Sequence, residues 1–273
     1  MGLRADSRHI AYCDIHSEDN VDFTEILRWQ KCYDPHEIIL NGDVTLAEAA
    51  SHWNEKSAFK YLGFDEIGRR LEREFKNTHA LLRKIREASP NARIRWVPGN
   101  HEAWYYWVAL YYPQTGVHLI GKAANTREFR NDMAKAAESR LAPILRTYFK
   151  TDDIGVEVLP FHKPLKLGPL TYLHGDQFSS LAATPKYYPN TNLVIGHFHQ
   201  KKITPLHDSG RRGRAIQHFA VPTLMRLGRG YEKLKASNHG NGFFYANVSR
   251  SGLFEGFIKD VFGDSGHLFP WQS

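Results

Sequence analysis

Val97-Pro98-Gly99-Asn100-His101-Glu102 closes a short apolar run, Ile94 to Val97, and opens a stretch of helix-compatible residues. The run reads as a buried strand, and Pro98-Gly99 breaks it sharply. Asn100 and His101 are then pushed out at the strand's carboxyl end, where open α/β sheets bind their ligands. A carboxamide oxygen can ligate a hard metal, and an imidazole beside it can move protons. Taken alone, the stretch reads first as a strand-to-helix turn with a capping Asn. Four further stretches of the same design change the balance.

His9 to Cys13 is an apolar run that ends in Asp14-Ile15-His16, with a carboxylate and an imidazole two residues apart on one face of an extended segment. Glu37 to Leu40 leads into Asn41-Gly42-Asp43. Leu170 to Leu173 ends in His174-Gly175-Asp176, and Leu193 to Ile195 ends in Gly196-His197-Phe198-His199. Each is an ordinary strand end by itself. Five in this order, each after a strand-like run, form a signal for a metal site.

Between these stretches the pattern is mostly helical. Asn20 to Cys32 reads as a helix with Phe23, Ile26, Leu27 and either Gln30 or Lys31 on its buried face, stopped by Asp34-Pro35. Thr45 to Ala88 reads as a long helical region. Within it Phe64, Ile67, Leu71, Phe75, Thr78, Leu82 and Ile85 recur at spacings of three and four. Asp132 to Tyr148 presents Leu141, Ile144, Leu145 and Tyr148. The aromatic cluster Trp104-Tyr105-Tyr106-Trp107, with Tyr111-Tyr112-Pro113, reads as core packing ahead of base stacking, and Trp53 as a locally packed residue. Gln114 to Asn131 is expected to be a loop or lid. Val156 to Phe161, Ala215 to Val221, Phe243 to Val248 and Phe254 to Ile258 read as further strands, and Ser179 to Asn190 as a loop.

Composition bounds the class. The chain has 273 residues, 42% hydrophobic and 13% aromatic, enough for one large α/β domain. We therefore expect a single domain over residues 1–273, with helical insertions around 45–90 and 103–153. The insertions either cap the site or simply cover the sheet. No apolar run reaches the roughly 18 residues of a membrane span, and no leader pattern is visible at Met1 to Asp6. Cys13 and Cys32 make no disulfide framework. The expected setting is the cytoplasm, with no membrane partner.

The formal charge of +7 is uneven: from Pro160 onward there are 14 Lys and Arg against 6 Asp and Glu, and before it 22 against 23. That excess suits an anionic substrate or partner as well as a plain basic surface. Lys201, Lys202, Arg211, Arg212, Arg214, Arg226 and Arg229 are its candidate contacts for a polyanion such as nucleic acid.

The five blocks resemble those of the calcineurin-like metallophosphoesterases: D-x-H as Asp14-Ile15-His16, G-D as Gly42-Asp43, G-N-H-D/E as Gly99-Asn100-His101-Glu102, a strand-end His174, and G-H-x-H as Gly196-His197-Phe198-His199. The resemblance implies a four-layer α/β/β/α sandwich, two mixed β-sheets flanked by helices. It implies two divalent cations, Mn²⁺ first, with Fe, Zn²⁺, Co²⁺ or Ni²⁺ as alternatives. Asp14, His16 and His199 would hold one, Asn100, His174 and His197 the other, and Asp43 both. His101 would be catalytic, protonating the leaving oxygen while a hydroxide held between the cations attacks phosphorus. The expected substrate is a phosphate ester, first a phosphodiester in nucleic acid or a nucleotide. A phosphomonoesterase remains open, as does a non-catalytic scaffold. One departure is Leu46, where the second block often has another Asp or Asn.

Overall fold

The computed structural model describes residues 6–50, 64–106, 140–207, 215–228 and 239–268. Five runs run parallel in one sheet or the other and end at the site. Strands β1 (Ser7–Tyr12), β2 (Glu37–Asn41), β3 (Arg93–Val97) and β4 (Val156–Val158) pair in parallel. In a second sheet β5 (Leu165–Leu167) lies antiparallel to β6 (Leu170–Leu173), which pairs in parallel with β7 (Asn192–Ile195). That sheet continues through β9 (Ala215–Ala220) to an antiparallel edge strand, β8 (Lys202–His207). The first sheet extends from β1 in antiparallel fashion through β10 (Gly242–Val248), β11 (Phe254–Phe262) and β12 (His267–Leu268). The result is a seven-stranded and a five-stranded sheet, both mixed, as expected.

Period-two alternation explains why the two sheets stack. Ala11, Cys13, Ile39, Val97, Phe244, Ala246 and Val248 point from the first sheet toward Leu170, Tyr172, Val194 and Phe219 of the second. The alternate residues Ile10, Tyr12, Ile38, Leu40, Ile94, Trp96 and Phe243 point the other way, under the helices. The outer face of the second sheet, with Leu173, Leu193, Ile195 and Ala220, is covered by Phe178, Leu181 and Tyr188. This fourth layer is slender among the described residues. Its helical part is a short 3-10 turn, Leu181–Ala183, followed by Thr184–Tyr187, inside the stretch expected to be a loop.

Helix α1 runs Thr24–Tyr33, four residues later than expected, and Asp22 just ahead of it accepts the Thr24 backbone N–H at 2.9 Å in a local turn. Asp34, at φ 50, caps its end. Gln30 rather than Lys31 completes the buried face. It accepts from Tyr12 Oη at 2.9 Å and donates to the Ile85 carbonyl at 2.8 Å. Helix α2 runs Phe64–Ala88, and Thr78, Leu82 and Ile85 are buried on it while Leu71 and Phe75 are partly buried. The expected helical region from Thr45 holds a 3-10 turn at Glu48–Ala50. Residues 51–63, with Trp53, lie outside the described residues, as do the side chains of Phe64 and Ile67.

Helical residues 140–149 bury Leu141, Leu145 and Phe149, while Tyr148 is 39% exposed and stacks on Phe75. The described parts of both insertions thus cover the first sheet. Trp104, Tyr105 and Tyr106 are buried in that same layer, as packing residues. Trp107, the Tyr111 to Pro113 segment and 114–131 lie outside the described residues. No helix among the described residues is long and apolar enough to cross a membrane.

Glu74 is an acidic side chain on the buried face of α2, where it accepts the Ala47 backbone N–H. Burial, with Glu18 nearby, pushes its carboxyl up to about 8. The folded protein therefore keeps a proton there that the unfolded chain gives up near its ordinary value of 4.5. Stability from this group is full below that value and falls as pH rises through about 8. In thermal melts, Glu74→Gln should flatten the decline in Tm between mildly acidic and alkaline pH. An unchanged decline would refute the assignment.

Candidate metal centre

The five strand ends meet where the two sheets face one another. Asn41, buried at the end of β2, ties them together: its amide donates to the Leu173 carbonyl at 3.0 Å and the Val194 carbonyl at 3.3 Å. Backbone strain then turns the polar residues inward. Asp14 (φ 50), His16 (φ 48), Asp43 (φ 48), His197 (φ 66) and His199 (φ 55) all occupy the left-handed region. Non-glycine residues there are uncommon and gather at functional sites. The Asp14 carbonyl is pinned by Thr223 Oγ1 at 2.7 Å and by the Leu224 N–H at 3.0 Å. Two glycines permit the close approach. A Cβ on Gly42, at φ +83, would strike the His174 ring, and one on Gly99 would strike the Asp43 carboxylate.

The seven expected ligand residues and His101 converge. Asp14, His16 and His199 bring one ligand atom each within 4.8 Å of the others, and so do Asp43, His174 and His197. His199 Nε2 lies 3.3 Å from Asp14 Oδ1, and His174 Nε2 lies 3.2 Å from Asp43 Oδ2. Asn100 Oδ1 joins the second group, 3.0 Å from His174 Nε2. His174 Nδ1 faces the Asn41 carbonyl at 3.2 Å, which leaves Nε2 turned to the cluster. Asp43 belongs to the second group and also to a third, with His16 and His101.

His16 gives the sharpest signal. It is 0% exposed, and neither ring nitrogen has a hydrogen-bond partner. Buried polar atoms are nearly always satisfied, so an orphaned imidazole among Asp and His side chains fits a metal ligand that would bind through one of its nitrogens. Burial, then the neighbouring His101, lowers its pKa to about 3, which keeps the ring neutral as a ligand must be. His197 is lowered in the same direction by burial and by His174. The carboxylates behave as anions despite burial. His199 holds Asp14 below its usual range, and His101 with His174 holds Asp43 well below it. Burial disfavours charge on His174, but Asp43 outweighs it and raises that ring's pKa.

Glu102 was not singled out in the sequence beyond its place in the block. It is fully buried, and its carboxylate accepts the backbone N–H groups of Gly99 at 2.7 Å, Asp43 at 2.9 Å and Thr45 at 3.1 Å. It thereby joins the turn after β3 to the turn after β2. Burial and the adjacent Asp43 push its pKa up to about 7. Glu102→Ala leaves three buried donors without that acceptor, at about 1–3 kcal/mol each. Chemical denaturation should show a loss of roughly 3 kcal/mol or more, with Glu102→Gln milder. A loss within about 0.5 kcal/mol, the range of an ordinary surface substitution, would contradict this role.

Three of the seven basic residues that are candidate contacts for a polyanion lie among the described residues. Lys201 pairs with Asp260 at 2.5 Å, and Arg226 Nε donates to the Asn20 carbonyl at 2.9 Å. Lys202 is exposed on β8. Arg211, Arg212, Arg214 and Arg229 lie outside the described residues. Both cysteines are free, Cys13 buried and Cys32 exposed.

No protein-family model and no curated protein matches the chain. Among solved structures, it is similar to a conserved uncharacterized protein from Streptococcus pneumoniae TIGR4, described as a predicted phosphoesterase. The two are 12% identical over 98% of this chain and 95% of that one, with a TM-score of 0.35. A second solved structure is 10% identical over 92% of this chain and 98% of its own, with a TM-score of 0.37.

Proposed function

We propose that the chain is a metal-dependent phosphoesterase with two divalent cations, and that it cleaves phosphodiesters. The observation that carries the metal reading is His16, buried with both ring nitrogens orphaned inside a set of Asp and His side chains. Asp14, His16 and His199 would hold one cation, Asn100, His174 and His197 the other, and Asp43 would touch both. Mixed nitrogen and oxygen donors suit Mn²⁺, Fe, Zn²⁺, Co²⁺ or Ni²⁺. When bound, such a pair supplies positive charge to phosphoryl oxygens and a lowered pKa to water held between them.

The remaining steps belong to the chain's own residues. His101 Nδ1 is committed to the Leu46 carbonyl at 2.6 Å, so its Nε2 is the atom free to carry a proton to the leaving oxygen. Glu102 holds the Asn100 and Asp43 turns in register. Asn41, bridging the sheets, keeps the His174 and His197 strand ends against them.

The diester preference is supported by the basic excess after Pro160. The monoesterase reading draws support from Lys201 and Arg226, whose contacts within the fold leave fewer cations for a polyanion. Turnover of bis-p-nitrophenyl phosphate against p-nitrophenyl phosphate, after metal addition, tests both. Faster diester cleavage is expected. Cleavage of the monoester alone would establish the phosphatase, and failure on both with two ions bound would refute the enzyme.

A further inference from the structure

The proton-carrying role given to His101 needs its ring held in one orientation, and the contact that does so is a backbone carbonyl. His101 Nδ1 lies 2.6 Å from the Leu46 oxygen. A carbonyl only accepts, so Nδ1 carries the hydrogen there, and Nε2 is turned toward Asp43 Oδ2 at 3.7 Å. Such a carbonyl orients a ring only if its own peptide plane is fixed. The segment leading to it is fastened step by step. The Asp43 and Val44 carbonyls accept the N–H groups of His16 at 3.0 Å and Ser17 at 2.9 Å, and the Thr45 N–H donates to Glu102 at 3.1 Å. The Ala47 N–H then donates to the Glu74 carboxyl, buried on helix α2.

The last of these contacts and the contact to His101 share one peptide group. The Leu46 carbonyl and the Ala47 N–H belong to the same planar unit, and in a trans peptide they point in opposite directions. A carboxyl that fixes the N–H from the α2 side therefore aims the carbonyl at His101 on the other side. Ala47 itself sits at φ 48, in the left-handed region, which a residue with a Cβ keeps only when its surroundings hold it there. One turn further along the same face of α2, Thr78 Oγ1 meets Ser17 Oγ, next to His16. Helix α2 thus touches the turns after both β1 and β2.

We propose that Glu74 is a positioning residue for His101: by holding the Leu46–Ala47 peptide plane from α2, it sets the orientation of the imidazole that delivers the proton. The inference rests on the phosphoesterase reading and on His101 as its acid. A carboxyl offers an acceptor oxygen whether or not it is protonated, so the contact requires an oxygen at that point and not a charge.

The test is turnover of protein reconstituted with Mn²⁺ along a series of p-nitrophenyl, phenyl and alkyl phosphate esters. Glu74→Met, close in length and without the acceptor, should keep metal content and KM and lower kcat by about 10–10²-fold, the scale of a misplacement of about 1 Å. The deficit should grow toward the alkyl esters, as for a damaged proton donor. Glu74→Gln keeps the oxygen and should recover most of kcat. In a His101→Ala background Glu74→Met should cost nothing further, because its effect passes through that ring. Unchanged kcat in Glu74→Met, losses that add to those of His101→Ala, a deficit equal across the series or loss of a metal ion would each overturn the proposal. If Glu74→Met does not fold, Glu74→Asp, one methylene too short to reach, takes its place, and failure of both to fold would make Glu74 structural and overturn it as well. His101→Ala separates the two levels. If it turns over esters like the wild type, or the wild type cleaves none, the reading beneath has failed and this inference with it. If His101→Ala is impaired and Glu74→Met is not, the failure is confined to Glu74.

Discussion

Asp43→Asn is expected to strip most of the bound metal and to reduce turnover by more than the roughly 10²–10³-fold that follows loss of a single charge-stabilising donor. The expectation comes from position. Asp43 is buried between the imidazoles, with Oδ2 at 3.2 Å from His174 Nε2 and 3.7 Å from His101 Nε2. Among the described residues it belongs to two of the three groups able to hold a cation. Asn preserves the side chain's shape and the acceptor for the His101 N–H, now 2.9 Å from Oδ1, so the fold should survive. What disappears is the negative charge facing several nitrogens. Metal content by plasma mass spectrometry, ester turnover and Tm measure the three consequences separately. Two ions retained with near-wild-type activity would remove Asp43 from the site. A collapsed Tm would instead assign it a structural role.

The site was more legible than the surroundings because its grammar is local. An apolar run that stops at Asp14-Ile15-His16 or at Gly196-His197-Phe198-His199 announces both the strand and what its end presents. Parallel pairing of β1, β2 and β3, with β6 and β7 stacked on them, then brings separate ends together without further instruction. The role of Glu102 was not local. Its acceptors serve Gly99 in its own turn but also Asp43 and Thr45, brought near only by the β2–β3 register, in which Asn41 pairs with Val97. Strand β8 was missed because its sequence, Lys202-Ile203-Thr204-Pro205-Leu206-His207, carries a proline. An edge strand tolerates that residue, and among the described residues β8 pairs only with β9. In the helix at 140–149, Phe149 rather than Tyr148 is buried, a one-residue offset that helical spacing alone does not resolve.

His101→Ala should keep the metal stoichiometry and lower kcat by about 10²–10⁴-fold, the usual range for general acid–base help. Geometry permits two roles for this ring. His16, Asp43 and His101 together can hold a cation, which would make His101 a ligand. Against that, its Nδ1 is held by the Leu46 carbonyl at 2.6 Å, and the ring packs on Trp104 with centroids 4.0 Å apart. Those contacts fix Nε2 at the edge of the group. There it can serve a leaving oxygen, since Asp43 Oδ2 lies nearer His174 Nε2, at 3.2 Å, than His101 Nε2, at 3.7 Å. The 8% exposure of the residue is enough for contact with substrate and too little for free exchange with bulk water. A proton donor matters in proportion to the basicity of the departing oxygen. The deficit of His101→Ala should therefore be smallest for p-nitrophenyl esters and grow through phenyl to alkyl esters. Loss of one metal ion in the variant would make His101 a ligand. A deficit of equal size across the whole leaving-group series would leave it a positioning residue and return the search for the acid to the other side chains at the rim.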